Sequence, residues 1–153
     1  MKSITITPHV GFEKIKLGFS KKQVEDIMGK PDDTSEQDFE DGIKELIYEY
    51  EELFVDLSFT SEDEYRLGAI TFYLEETVVL GKKFIGISED DFHSTIEALK
   101  IEDLELIDVF EDLDAKDYFS ESLGIAFWVQ EGVVDSITMY PKLDDDDKPV
   151  WPN

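Results

Sequence analysis

The groups in this chain that could move a proton are two histidines, His9 and His93, and a large excess of carboxylates. Acid–base or nucleophilic catalysis needs such a group held beside an orienting partner. His93 follows Phe92 in a helical stretch, with Glu89 and Glu97 four residues to either side; that spacing describes a solvated helix face. His9 follows Pro8 in a loop and belongs to no motif. With zero cysteines, thiol nucleophiles, disulfides, iron–sulfur ligation, thiolate zinc and a lipidated cysteine are all excluded. Asp32 and Asp33, Asp63, Asp112 and Asp114, and the run 144–147 could gather hard cations, but none has the ligand spacing and glycine of a calcium loop. Gly18, Gly29, Gly42, Gly68, Gly81 and Gly86 are singly spaced turn residues, so no phosphate loop is present. The expectation is a chain without catalytic residue, metal or cofactor.

Recognition chemistry is better represented. Thirty-eight acidic residues against fourteen basic ones leave a formal charge of −24, which repels nucleic acid and anionic membrane and attracts basic surfaces. Hydrophobic residues at 41%, with eleven Phe and six Tyr, place the chain among folded globular proteins despite that charge. The beginning, Met1 to Thr5, has no apolar signal core, and no apolar run is long enough to cross a bilayer; a cytoplasmic protein is expected.

The elements that must position these groups follow from local pattern. Ser20 with Gln23 spells a capping box, Val24, Ile27 and Met28 give one apolar stripe, and Gly29 with Pro31 supplies the stop, so a short helix starts after Ser20. An acidic loop over 32–41 follows, then strands over 43–50, 53–60 and 67–75. In the second of these, Leu53, Val55, Leu57 and Phe59 share one face and Phe54, Asp56, Ser58 and Thr60 the other. A linker over 78–83 leads to a second helix, with Ser88 and Asp91 as its cap and Phe92, Ile96 and Leu99 on one side. Strands are expected over 104–110, around Tyr118, and over 124–130 and 133–140, after an edge strand over 3–7. If Leu57, Phe59, Ile70, Phe72, Ile125, Phe127, Ile137 and Met139 face the helices, then Thr71, Tyr73, Trp128, Thr138 and Tyr140 fall on the opposite face. Asp56, Glu75 and Asp135 would rim them. Aromatics on a polar, acid-rimmed sheet face suit a protein interface, with Tyr and Trp as anchors and charge as the steering element.

Leu17-Gly18-Phe19-Ser20 returns as Ile85-Gly86-Ile87-Ser88 at an offset of 68 positions, and Ile70-Thr71-Phe72-Tyr73 as Ile137-Thr138-Met139-Tyr140 at nearly the same offset. The Leu-Gly-Phe-Ser opening, the helix closed by Gly29-Lys30-Pro31-Asp32 and the aromatic strands after it resemble the SmpA/OmlA (BamE) repeat family. The doubling resembles the β-lactamase inhibitor protein fold, and the acidity is similar to that of bacterial toxin-immunity proteins. The resemblance implies a curved sheet with helices on one face and an open face that binds another protein. Neither the lipidated cysteine of the envelope lipoproteins nor the disulfides of the secreted inhibitors is present, so their particular targets do not transfer.

The expected architecture is therefore α+β, two tandem repeats of a short helix packed on an antiparallel sheet: 1–77, 78–142, and an acidic flexible tail over 143–153. The expected function is non-enzymatic binding of a basic protein, of the immunity or inhibitor type, by a monomer or homodimer. A hydrolase is the alternative, and it requires a deep pocket containing His93 or a close carboxylate pair. A structural self-associating protein, its sheet face buried in a homodimer, is the third reading.

Overall fold

The computed structural model describes residues 3–152; Met1, Lys2 and Asn153, which the readings of the two termini include, lie outside the described residues. In chain order the elements are β1 (Ile4–Thr7), β2 (Gly11–Phe12), β3 (Ile15–Lys16), α1 (Lys21–Met28), β4 (Asp33–Asp38), β5 (Lys44–Tyr50), β6 (Val55–Thr60), β7 (Leu67–Phe72), β8 (Thr77–Val79) and β9 (Lys82–Lys83). They continue with α2 (Glu89–Ala98), β10 (Leu104–Phe110), β11 (Ala115–Ser120), β12 (Ile125–Gln130), β13 (Val133–Met139), β14 (Lys142–Leu143) and β15 (Pro149–Val150). Both helix starts obey their local chemistry. Ser20 Oγ accepts from Gln23 N–H at 3.1 Å while Gln23 Oε1 accepts from Ser20 N–H at 2.8 Å, closing the capping box. Ser88 Oγ accepts from Asp91 N–H at 3.1 Å.

The glycine before each cap turns the chain onto the sheet. Gly18 and Gly86 hold φ of 92° and 96°, a region that side chains disfavour. Their N–H groups donate to Leu67 O and Val134 O, both at 2.8 Å. The return bonds, Leu67 N–H to Phe19 O at 2.8 Å and Val134 N–H to Ile87 O at 2.9 Å, tie each opening segment to the start of a central strand.

The expected α+β architecture of two helix-on-sheet repeats is overturned. Strand makes up 46% and helix 16% of the described residues, and the strands form large sheets of eight and five rather than one sheet per unit. The larger sheet runs β10-β11-β12-β13-β7-β6-β5-β4, joined at its centre by antiparallel pairing of Ile137 with Phe72, Thr138 with Thr71 and Met139 with Ile70. The smaller runs β3-β2-β1-β8-β9, with β1 and β8 parallel. Segments expected as loop and linker supply the missing strands. β4 pairs with β5 from Asp33 opposite Glu49 to Asp38 opposite Lys44, and β8 and β9 form a tight hairpin. The carboxy-terminal segment expected as a flexible tail contains the β14–β15 hairpin, whose turn is held by Asp144 Oδ1 accepting from Asp146 and Lys148 N–H at 2.8 and 3.0 Å. Trp151 then packs along Gly18.

One core lies between the helix side of the large sheet and the helices and small sheet. Val24, Phe92 and Ile96 reach it from the helices. Phe12 of the small sheet meets Phe72 edge-on at 5.3 Å, and Phe127 touches Phe84 and Phe92 at 5.1 and 5.0 Å. Truncating a buried Phe costs about 3–5 kcal/mol. Phe127→Ala is therefore expected to shift urea unfolding by roughly that amount as one cooperative transition, followed together by tyrosine and tryptophan fluorescence and far-UV circular dichroism. Two separated transitions would show that the halves have independent cores.

Candidate functional site

With helices and small sheet on one side, the other side of the large sheet carries no helix; most of its outward residues are half-buried and Ser136 is buried. The pairing registers assign its outward residues row by row. One row begins with Asp33 opposite Glu49, Glu49 opposite Asp56 and Asp56 opposite Thr71. It continues through Thr71 opposite Thr138, Thr138 opposite Ala126 and Ala126 opposite Phe119 to Glu105. The adjacent row contains Ser136 opposite Trp128, Trp128 opposite Asp117 and Asp117 opposite Asp108. One step beyond the Phe72–Ile137 pair, Tyr73 extends this row beside Ser136, and its N–H donates to Phe54 O at 3.1 Å. The face is thus an aromatic row, Phe54, Tyr73 and Trp128, alongside a row rich in carboxylate.

Directly opposed like charges are destabilising in a sheet, yet Asp33, Glu49 and Asp56 stand opposite one another across three strands, and Asp108 faces Asp117 across two. Partial burial and the charges of Asp56, Asp33 and Glu51 raise the Glu49 carboxyl, and burial with the Asp108 charge raises Asp117. The ordinary remedy would be a neighbouring cation. No outward position of the eight strands carries lysine or arginine, since Lys44 and Lys116 both alternate to the helix side. The ion pairs Lys22–Asp26, Lys83–Glu76 and Lys116–Glu89 lie on α1, on the small sheet side and beside α2. Among the described residues, no three carboxylates or imidazoles come close enough to share a metal ion, so the rows present separate charges.

The expected interface residues fall mostly into this arrangement. Thr71 and Thr138 meet at the central junction with Oγ1 atoms 3.0 Å apart. Tyr73 donates its hydroxyl to Asp56 Oδ2 at 3.0 Å; burial foremost, then Asp56, Asp135 and Glu49, push its phenol upward. Asp135 is the extra residue of the bulge between Trp128 and Val129. Trp128 lies 5.1 Å from Phe110 and donates from Nε1 to Gln130 Oε1 at 2.9 Å. Tyr140 stands at the far end against Phe119, 6.1 Å between rings; burial, then the charges of Asp117 and Glu45, push its hydroxyl upward. Glu75 is not brought to the face, because its carboxylate lies along Gly86 beyond the paired strands. Alternation alone could not find Asp33, Glu49, Asp108 and Asp117, whose meaning depends on cross-strand register.

A cleft of about 950 Å³ opens at the Tyr140 end, walled by Asp117, Phe119 and Ala126, the β14–β15 hairpin and His9. His9 donates from Nε2 to Ser122 O at 2.9 Å and packs its ring against Gly124. A second cleft, about 880 Å³, lies among the β2–β3 turn, the end of α1 and the β5–β6 turn. His93 lines neither. It is on the helix side, with Nε2 3.6 Å from Glu89 Oε2, a carboxylate that also accepts from Tyr118 at 2.6 Å and Lys116 at 2.9 Å. The bond from Tyr118 foremost holds Glu89 below the usual carboxylate range.

Searches with family models, among curated proteins and among solved structures find no match for this chain.

Because the Glu49 pKa is raised on folding, its ionised form opposes the folded state at neutral pH, and the opposition lifts as pH falls through the raised value. Glu49→Gln is expected to raise the melting temperature at pH 7 in low salt. The gain should shrink with added salt, and also as pH falls through the carboxylate range where the parent protein becomes protonated. Thermal scans across pH and salt measure this; a lowered melting temperature at pH 7 would show that Glu49 is instead a stabilising charge.

Proposed function

We propose that this chain is a non-enzymatic binding protein whose open sheet face receives a cationic surface of another protein. The observation that carries the reading is the cross-strand carboxylate series Asp33, Glu49 and Asp56, set with Asp108 and Asp117 on a face that has no lysine or arginine at its outward strand positions. Such a series weakens the free fold, and a partner's basic side chains reverse its sign. The aromatic row through Phe54, Tyr73 and Trp128 supplies large anchors beside it, the combination from which interface hot spots are made. A formal charge of −24 adds long-range steering toward a basic target.

The activity we attach to this face is stoichiometric masking, as an inhibitor or immunity-type protein performs it. The reading places the encounter in the cytoplasm, where a cysteine-free fold held by packing alone is at no disadvantage. In the described residues no helix is long and apolar enough to cross a membrane.

A blocked oligolysine peptide titrated into isotope-labelled protein tests the face without knowledge of the partner. Amide shifts are expected on β5, β6, β7, β11 and β12 at low ionic strength, fading toward physiological salt, and absent in a Glu49→Lys/Asp117→Lys protein. Shifts confined to α1 and α2, or none at low salt, would overturn the reading.

A further inference from the structure

We propose that Phe54 and Tyr73 form a stacking site for an arginine side chain of the cationic partner, an inference that rests on the binding role of the open face. Two features of Phe54, which Leu80 shares, are joined at this position by a ring neighbour. Its backbone sits at φ 58°, in the left-handed region where a bulky side chain is strained and glycine or asparagine is at ease. Its side chain is 56% exposed, so burial does not compensate for that strain. The ring leans on Tyr73, with centroids 5.4 Å apart and planes tilted by 37°. Tyr73 in turn donates to Asp56 Oδ2 at 3.0 Å, and Asp56 stands opposite Glu49. An exposed aromatic surface and two carboxylates not paired with any basic side chain among the described residues therefore share one corner of the face.

The chemistry that satisfies both is specific. A guanidinium is planar and weakly hydrated; it lies on an aromatic ring while its N–H fork reaches carboxylates at the edge. A lysine ammonium offers the charge without the plane. An apolar side chain would cover Phe54 and desolvate Asp56 without a partner, and an anion would be repelled. Charge complementarity on this face and the flatness of the Phe54 ring together select arginine. The turn at Phe54 is closed by its N–H donating to Glu51 O at 3.2 Å and its carbonyl accepting from Tyr73 N–H at 3.1 Å, so the backbone fixes where the ring is presented.

Two blocked peptides, one alternating arginine with serine and the other lysine with serine, are titrated into parent, Phe54→Gly and Phe54→Tyr proteins by calorimetry, with melting temperatures recorded alongside. The parent should hold the arginine peptide about tenfold tighter than the lysine peptide, the scale of a partly desolvated cation–ring contact. Phe54→Gly should erase that preference without lowering the melting temperature, since glycine relieves the left-handed strain; Phe54→Tyr should keep it. Equal affinities in the parent, or an arginine preference surviving in Phe54→Gly, would overturn the stacking site while leaving the acidic-face role standing. Failure of both peptides to bind the parent in low salt would remove the face itself and the site with it.

Discussion

The pairing of β7 with β13 fixes everything else in this protein. Three residue pairs, Phe72 with Ile137, Thr71 with Thr138 and Ile70 with Met139, join the strands on either side into one sheet. In a sheet the side-chain period is two, so slipping this junction by one residue would send Phe72 and Ile137 to solvent and Thr71 and Thr138 into the core. The register is held from both ends. Gly18 and Gly86, each turned into the left-handed region, clamp the opening segments to Leu67 and Val134, and phenylalanines from the small sheet and α2 fill the space behind the junction.

The open face is a consequence of that one-sided filling. Both helices and the small sheet pack behind the large sheet, so the large residues of the core come from its back. The placement of charge on the front is unfavourable for an isolated molecule: carboxylates oppose carboxylates across adjacent strands, while the cations are spent on the helix side, where Lys116 joins Tyr118 on Glu89. The outward strand positions therefore carry no cation, and Lys142 of the β14–β15 hairpin reaches only the cleft at the Tyr140 end. Aromatic rings stand among those carboxylates, Tyr73 hydrogen-bonded to Asp56 and Trp128 opposite Asp117; in the proposed role they would add contact area that charge alone does not supply.

Much of this was legible locally. The cap at Ser20 is a four-residue pattern, Ser20 to Gln23, and appears as written, and alternation turned Tyr73, Thr71, Trp128 and Asp56 to the outward side. What escaped was non-local. β4 reads Asp-Thr-Ser-Glu-Gln-Asp and is exposed throughout, so no apolar period marks it; only its partner β5 makes it a strand. β8 pairs in parallel with β1 from the far side of the large sheet's first strands, and no turn announces such a pairing. Joining the halves edge to edge changed the architecture from helix-on-sheet units to a mostly β protein. The same missing register hid the carboxylate series, because Asp33, Glu49 and Asp56 are far apart along the chain until three strands align them. Phe54 could be assigned to the outward side, but its left-handed backbone is visible only in the folded turn.

The most direct test of the proposed binding role is carboxyl footprinting, in which exposed acids are labelled with a carbodiimide and an amine, without and with an added oligoarginine peptide. Labelling at Glu49, Asp56 and Asp117 is expected to fall on binding while Asp90 and Glu97 on α2 stay unchanged. Protection of the α2 acids with undiminished labelling across the sheet face would contradict a binding role for this surface.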